Sequence, residues 1–502
     1  MLRKRRSNQR QQGFALIYVT LMGAFVLLPM GGLAVDFGML YNIKARLQTA
    51  CDAAAIGAGY TLHASTNLSS PTTVAAIEAV AQQYFNANYP THYFGSTVVS
   101  YSAVPASSNS GKTITVNATA TVPMLLMRVL GIAQSTVKAS AVSNVKYISM
   151  MIVVDRSGSV VAEGAQTTIQ NALSTFIATA GTSYLVDGVD TVGMVSFGGS
   201  WRLDFTPTTT FQSGSPNIGT AITNIPFDAN NSTNTGEGLY QAWTQLHITN
   251  LPGSLNVIVL LTDGRPSAFT GNFTPSFGSC TNKTARGAAM DTYVSIGSYP
   301  FWPPPTSGND TYGLLATQFA GVPETSYLAA NSTNCAYASS LTNVTTDLNN
   351  NFPASVGPVD RVGVGFNSSY TNSAGTGIST QTGYYSQACT NLSDPECGRY
   401  ASFNYADNMA TLIRGDTTLQ PMLFVIGLNY SGTSTEPLDE DWLARVANDP
   451  NYVSVGSDPA ILAAGQSVYQ TGQTPGMYCN STTATLSACF AQVTSQLLRL
   501  TQ

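Results

Sequence analysis

The chain has 502 residues, of which 43% are hydrophobic and only 9% are charged. This length and hydrophobic content suit a globular protein with several cores and exclude a wholly disordered one. The formal net charge is −5, but the first 12 residues hold 5 basic and no acidic side chains. The remainder holds 16 basic and 26 acidic groups, a balance of −10, which argues against a nucleic-acid partner.

An uncharged stretch from Gly13 to Val35 follows the basic amino terminus. At about 1.5 Å per residue, this stretch is long enough to cross a hydrocarbon core of about 30 Å. A basic flank stays in the cytoplasm, so we expect a cytoplasmic tail over residues 1–12 and a transmembrane helix over residues 13–35. Since no second apolar span follows, we expect a single-pass protein of the cell membrane whose C-terminal region lies outside the cytoplasm, in the periplasm or at the cell surface.

Two other interpretations of this stretch involve cleavage. Gly32-Leu33-Ala34 offers the small residues of a signal-peptide cut, but the apolar core would exceed the usual length of about 7 to 15 residues. The segment from Gln12 to Ile17 resembles the prepilin processing site, where the cut follows the glycine. The glutamate expected five residues into a mature pilin is here Tyr18. Cleavage after Gly13 would make the protein a minor-pilin-like tip adhesin.

Two short segments just past the apolar stretch carry a family resemblance. The first, from Gly32 to Tyr41, reads Gly-Leu-Ala-Val-Asp-Phe-Gly-Met-Leu-Tyr, and the second, from Leu47 to Gly59, is rich in alanine. Together they resemble the amino-terminal segment of TadG-like proteins of the Tad (Flp) pilus system, in which alanine usually stands at the position of Cys51. The small residues would continue the membrane helix outward and allow close helix packing.

Residues 36–145 are expected to form a stalk helix and a small α+β module similar to that of pilins. Alternating apolar residues predict strands, and two segments with helical periodicity predict helices. The expected strands are Thr97–Val104, Lys112–Ala120 and Ser135–Val145, and the expected helices are Thr72–Asn88 and Val122–Gly131.

An Asp-x-Ser-x-Ser motif at residues 155–159 follows a buried, β-branched run from Ile148 to Val154. A strand that ends in this way presents oxygens at the carboxyl edge of a sheet, where open α/β folds bind their ligands. Thr233 precedes an expected helix, and Asp263 ends a second apolar strand that begins at Leu255. Five oxygen-bearing side chains form the candidate metal site: Asp155, Ser157, Ser159, Thr233 and Asp263.

This order of residues resembles a von Willebrand factor A domain with a metal-ion-dependent adhesion site. The resemblance implies a doubly wound α/β sheet over residues 146–502. It also implies that the serines and Thr233 coordinate through their hydroxyls, and that both carboxylates coordinate directly or through water. Hydroxyls and carboxylates suit Mg²⁺ or Mn²⁺ better than zinc. An alternative is that Asp155 and Ser157 merely cap the following helix.

Further elements of the A domain follow from apolar periodicity, and one long segment lies outside that pattern. The segment from about 266 to 402 is rich in Asn, Thr, Ser, Gly and Tyr and is expected to be an insertion that rises beside the metal face. The expected strands are Thr191–Phe197, Trp201–Phe205 and Pro421–Gly427, and the expected helices are Ala165–Ala180, Gly236–Leu246, Leu438–Asn448 and Thr485–Leu498.

Six of the seven cysteines lie in the exported part and permit 15 disulfide pairings. Sequence proximity favours Cys389 with Cys397 and Cys479 with Cys489, which leaves Cys280 for Cys335. Cys51 is then unpaired and is expected to be a buried small residue.

These features favour a non-enzymatic, membrane-anchored component of Tad pilus biogenesis or adhesion. We expect its partner to be a pilus or envelope protein, or an extracellular surface ligand with an acidic group that completes the metal coordination. A hydrolase is the remote alternative, because His247 is the single histidine after residue 146 and no nucleophile elbow or phosphate-binding loop occurs.

Overall fold

The computed structural model describes residues 17–23, 28–183, 185–199, 201–229, 233–263, 266, 268–273, 285–290, 312–315, 344–345, 405–407, 409–429, 438–454 and 468–501. The chain divides into two compact units, residues 1–146 and residues 147–501.

The first unit packs helices on one face of a three-stranded antiparallel sheet, in the order β1-β2-β3. Alternate residues of β2 and β3 are buried, as expected for strands with one face on a core. Small side chains such as Ala50 and Ala54 are fully buried on the long helix α1 and let it approach the sheet closely. The elements are α1 (Leu28–Gly57), α2 (Gly59–Ala64), α3 (Pro71–Asn88), β1 (Thr97–Ser107), β2 (Gly111–Pro123) and β3 (Gln134–Lys146).

The expected membrane span is only partly within the described residues. Residues 17–22 and 28–35 are α-helical, whereas residues 1–16 and 24–27 lie outside the described residues. Among the residues that the structure describes, no helix is long and apolar enough to cross a membrane.

The helix expected over Val122–Gly131 is wrong. Strand β2 continues to Pro123, and the only helical part is a four-residue 3-10 turn, Met127–Leu130. The physical reason is a competing acceptor: the backbone amides of residues 125, 126 and 127 donate to the carboxylate of Asp36 on α1. An α-helix that began at Val122 would direct the amides of residues 126 and 127 to carbonyls of the preceding turn instead.

The second unit is a six-stranded sheet with helices on both faces, in the order β13-β12-β7-β4-β5-β6. All neighbouring pairs are parallel except β5 and β6, which are antiparallel. This confirms the α/β sheet with helices. The strands are β4 (Ile148–Asp155), β5 (Thr191–Phe197), β6 (Trp201–Thr208), β7 (Leu255–Thr262), β12 (Met422–Leu428) and β13 (Met477–Ser481).

Two hydrophobic cores cover the two faces of this sheet. Helix α7 (Thr235–Thr249) and the helical residues 405–407 and 409–414 contribute to one core. Helices α5 (Gln166–Ser183) and α9 (Leu486–Thr501) contribute to the other. All eight residues of β4 are buried, because a central parallel strand is covered on both faces. The helices are α4 (Gly158–Ala162), α5 (Gln166–Ser183), α6 (Ile218–Thr223), α7 (Thr235–Thr249), α8 (Glu440–Ala447) and α9 (Leu486–Thr501).

The expected insertion begins directly after β7 and lies largely outside the described residues. Its described part includes a small antiparallel sheet in the order β10-β9-β8-β11. The strands are β8 (Ala268–Phe273), β9 (Ala285–Met290), β10 (Tyr312–Leu315) and β11 (Val344–Thr345).

One of the three expected disulfides falls within the described residues. Cys479 on β13 is bonded to Cys489 on α9, with the Cα atoms 5.8 Å apart, so the last strand is tied to the last helix. The cysteines of the other two expected pairs, at positions 280, 335, 389 and 397, lie outside the described residues. Cys51 is free and buried, and burial raises the pKa of its thiol to about 11.

Candidate metal centre

Asp155 is the last residue of the central strand β4 and is fully buried. Its carboxylate accepts hydrogen bonds from the Ser157 amide at 2.9 Å and from the Thr262 hydroxyl at 2.6 Å. Thr262 ends the neighbouring parallel strand β7, so the two strand ends hold this carboxylate in one orientation. Thr262 was missed by sequence reasoning, although its position directly before Asp263 was the available signal.

Ser157, Ser159 and Asp263 form a connected group of side-chain oxygens beside Asp155. The two serine hydroxyls are 3.0 Å apart. The Ser159 hydroxyl lies 3.0 Å from Asp263 Oδ1, and the Ser157 hydroxyl lies 3.5 Å from the same oxygen. Four of the five residues expected from the sequence are therefore brought together at the carboxyl edge of the sheet.

Thr233 lies in the loop that precedes α7 and is buried. The next residue, Asn234, donates its amide to the carbonyl of Gly198 at 2.8 Å and its side-chain NH₂ to the carbonyl of Gly199 at 3.1 Å. These two glycines follow β5, the strand that pairs with β4 on the side away from β7. The bonds therefore hold the Thr233 loop at the same carboxyl edge as the other four residues.

Two glycines allow α7 to pack tightly near its amino terminus. A Cβ added to Gly238 would lie 2.6 Å from Phe197 Cδ1 and 3.1 Å from Val153 Cγ1. A Cβ added to Gly236 would lie 2.1 Å from the ring of Tyr405. Because real Cβ atoms essentially never come within 3.0 Å of another heavy atom, as they would at Phe197 and Tyr405, the absence of side chains here sets how near the Thr233 loop comes to the sheet.

The helix-cap interpretation does not account for the Ser157 hydroxyl. Ser157 occupies the N-cap position of α4, with φ −63° and ψ 170°, but its side chain makes no capping hydrogen bond. The hydroxyl instead lies within hydrogen-bonding distance of Ser159 and Asp263. A capping serine would direct its oxygen to the backbone amides of the first helical turn.

The centre concentrates negative charge in a buried place. Burial raises the pKa of Asp155 above its usual value, against the lowering effect of the hydrogen bonds from Ser157 and Thr262. Asp263 is also buried and shares the serine hydroxyls. Two buried carboxylates at one sheet edge favour a bound cation, because each otherwise loses hydration without gaining an opposite charge.

The donor set fits a hard divalent cation. It consists of two carboxylates and three hydroxyls, all oxygen ligands of the kind that Mg²⁺ and Mn²⁺ prefer. Among the described residues, no group of three or more His, Cys, Asp and Glu side chains that could hold a metal is present. The candidate centre contains only two such side chains, so any cation here would depend on the hydroxyls and on water. The bound ion would supply an attachment point for an acidic group of a ligand.

Buried polar residues that the sequence did not single out support α7 from the other side. Glu237 accepts a hydrogen bond from Gln241 at 2.7 Å and one from the Tyr405 hydroxyl at 3.3 Å. At the other end of the helix, Asp416 accepts from His247 at 2.7 Å and from the Trp243 indole at 2.9 Å. Tyr405 and Asp416, which both follow the insertion in the chain, are thus hydrogen-bonded to opposite ends of α7.

Two family models match the chain. Residues 149–280 match the von Willebrand factor type A domain, and residues 13–64 match the Flp pilus-assembly TadE/G-like family. These two matches support a TadG-like protein with a von Willebrand factor A domain. The first match includes Asp155, both serines, Thr233 and Asp263, and the second includes Asp36 and all of α1.

Several solved structures of pilus proteins are similar to this chain at low sequence identity. The PilB minor pilin from Streptococcus sanguinis is 16% identical with a TM-score of 0.34, and the likeness covers 82% of this chain and 80% of that one. The vWF domain of the type V pili tip protein Mfa5 from Porphyromonas gingivalis is 12% identical with a TM-score of 0.35, covering 72% and 98%. The pilus adhesin SpaC from Lactobacillus rhamnosus GG is 12% identical with a TM-score of 0.32, covering 79% and 33%. No curated protein matches the chain.

Proposed function

We propose that this TadG-like protein is a membrane-anchored, exported component of Tad pilus biogenesis or adhesion. It binds a protein or surface ligand through Mg²⁺ or Mn²⁺ held by Asp155, Ser157, Ser159, Thr233 and Asp263. The observation that carries the proposal is the oxygen cluster at the carboxyl edge, in which two serine hydroxyls lie within hydrogen-bonding distance of each other and of the buried Asp263, beside the buried Asp155. The match of residues 13–64 to the TadE/G-like family supports the link to the pilus and to the cell envelope.

The ligand class follows from the chemistry of the site. Five protein oxygens, some of them acting through water, leave room for one further oxygen in the octahedral shell that Mg²⁺ prefers. A carboxylate from a partner would fill that position and also offset the positive charge of the ion. The partner is therefore a pilus or envelope protein, or a surface ligand, that presents an acidic group.

We propose that the protein is not an enzyme. His247 is the single histidine after residue 146. It is buried near the end of α7 and bonded to Asp416 at 2.7 Å, where it supports the fold. Turnover of any substrate that depended on Asp155 would contradict this part of the proposal.

The metal site is tested by calorimetric titration of the full-length protein with MgCl₂ and MnCl₂ in detergent. Binding is expected for the native protein and its loss for Asp155→Ala. The matched control is Asp190→Ala, which removes a buried carboxylate that accepts from the Ile148 and Val186 amides, at the amino end of β4. This control is expected to lower stability yet keep metal affinity. Equal metal affinity in the native protein and Asp155→Ala would overturn the site.

The tip-adhesin alternative is tested on the same preparation. The TadE/G-like match begins at residue 13, next to the glycine after which a prepilin would be cut. The membrane-anchored component keeps residues 1–13, whereas a processed minor-pilin-like adhesin begins at Phe14. Intact-protein mass spectrometry of material from the native host therefore distinguishes the two.

A further inference from the structure

The β2–β3 connection of the first unit, residues 124–133, carries an exposed apolar surface that the metal site does not use. Four side chains on this connection, here called the apolar tip, are between 46% and 86% exposed. They are Leu125, Leu126, Val129 and Ile132. Exposed apolar residues grouped in this way mark an interaction surface more often than scattered ones do.

The tip is held in shape by one carboxylate on α1. Asp36 is 1% exposed, and its two oxygens accept the amides of Leu125 at 3.0 Å, Leu126 at 3.0 Å and Met127 at 2.7 Å. These hydrogen bonds hold the pKa of Asp36 below its usual value, and the bond from Met127 has the largest effect. Gly131 closes the turn with φ +87°, a conformation that suits glycine. The apolar side chains are therefore displayed on a preorganised backbone, which lowers the ordering cost of binding.

The tip lies at a defined height along α1. A Cβ added to Gly32 would meet the Leu126 side chain at 2.8 Å, so the tip is level with helix residues 32–36. Further along α1, Gln48 donates to the carbonyl of Ser140 at 2.8 Å, and beyond the end of α1, Gly59 at the start of α2 lies beside Val145. Strand β3 thus runs in the same direction as α1, and the β2–β3 connection is at the end of the module where the uncharged stretch 13–35 stops.

The opposite end of the module has the opposite character. The β1–β2 turn there contains Ser107, Ser108, Asn109 and Ser110, with no apolar side chain. At the tip end, Phe37 and Tyr41 on α1 are 67% and 72% exposed, and Arg128 on the tip is also exposed. Exposed aromatic rings with a basic side chain just beyond an apolar span are the residues found at a membrane interface.

We propose that the apolar tip inserts into the outer face of the lipid bilayer beside α1, as a second membrane contact. The proposal rests on the membrane anchoring in the proposed function. Leu125, Leu126, Val129 and Ile132 enter the boundary between headgroups and acyl chains, and Arg128 lies among anionic headgroups. Contact at two points fixes the tilt of the exported module on the membrane, which a single helix leaves free.

The test places a fluorophore at each end of the module in the full-length protein. Val129→Cys and the matched control Asn109→Cys are labelled with NBD and reconstituted into vesicles of phosphatidylcholine and phosphatidylglycerol. The native protein, labelled in parallel, gives the background from its own cysteines. Doxyl-labelled lipid is then added as a quencher. Quenching at position 129 is expected to exceed that at position 109 by at least about twofold, with a bluer emission, because the interface depth is about 5–10 Å.

Each outcome decides between alternatives. Equal quenching at the two positions in protein that floats with the vesicles overturns the tip contact but leaves the anchor intact. Full-length protein that does not float with the vesicles overturns both the membrane anchor and the lipid contact of the apolar tip. The metal site is judged independently, by its own calorimetric titration. A blue shift at position 129 that depends on protein density and not on the quencher overturns the lipid contact and assigns the tip to a second copy of this chain.

Discussion

The Ser159 hydroxyl donates to Asp263 Oδ1 at 3.0 Å, although 104 positions separate the two residues. They meet because β4 and β7 are parallel neighbours, so the segments after their carboxyl ends lie side by side. Ser159→Ala is expected to weaken Mg²⁺ binding by about tenfold or more, since a metal ligand is lost while the buried strand ends are kept. Calorimetric titration measures this, and Ser149→Ala at the other end of β4 is the control.

Metal is expected to stabilise the fold, because the ion binds a site that exists only when β4, β7 and the Thr233 loop are together. At a free Mg²⁺ concentration about one hundred times the Kd, the gain is about 2.7 kcal/mol. Differential scanning calorimetry with Mg²⁺ and with chelator measures the shift in melting temperature. Asp155→Ala should show no such shift, and a shift of native size in this variant would contradict the site.

Gly238→Ala is expected to destabilise the second unit by about 1–3 kcal/mol, because the new methyl group would overlap Phe197 and force α7 away from the sheet. Gly219→Ala is the matched control. It lies at an exposed position of helix α6, where the nearest atom would be 3.4 Å away, so alanine is expected to be neutral or to stabilise by up to about 1 kcal/mol. Urea unfolding of both variants decides. A Gly238→Ala protein as stable as the control would contradict the close packing.

Asp416 is expected to make stability depend on pH in the acid range. Burial alone would raise its pKa, but hydrogen bonds from His247 and Trp243 and from two backbone amides lower it from 3.8 to about 2. The contribution is therefore fully present above about pH 4 and is lost as the pH falls through about 2, and it is on the order of 1 kcal/mol. The stability difference between the native protein and Asp416→Asn, followed by urea unfolding, should shrink over that range. A difference that stays constant from pH 5 down to pH 2, where the Asp416 carboxylate of the native protein is about half protonated, would rule out this role.

Lys112→Met is expected to destabilise the first unit by about 1–3 kcal/mol, because two buried carbonyls would lose their donor. The Lys112 ammonium group is buried and donates to the carbonyl oxygens of His63 and Ser65, which end α2. Lys138→Met on the exposed face of β3 removes the same charge without such a loss and should change stability little. Thermal unfolding of the full chain, followed by fluorescence and circular dichroism, measures both. Equal melting temperatures for the two variants would contradict the assigned role of Lys112.

The parts of the site that the sequence predicted are local in the chain. An apolar β-branched run ends in Asp155 and two hydroxyls within five residues, so the strand and its oxygens are visible together. The strands at Ile148 and Leu255 were predicted for the same reason, because a parallel strand buried on both faces is apolar throughout. The order of the elements and the two matched families are consistent with that interpretation.

Long-range partners were decided only by the tertiary structure. The short Val122–Gly131 segment has a helical pattern, yet Asp36, almost ninety positions earlier, accepts its amides and turns it into an exposed tip. The roles of Thr262 and Tyr405 also depend on the tertiary structure. Thr262 reaches Asp155 because β7 pairs with β4, and Tyr405 reaches Glu237 because the chain that follows the insertion lies against α7. Local periodicity reports which side of an element is apolar. It does not report which distant carboxylate will satisfy a backbone amide, because that depends on the packing of the whole unit.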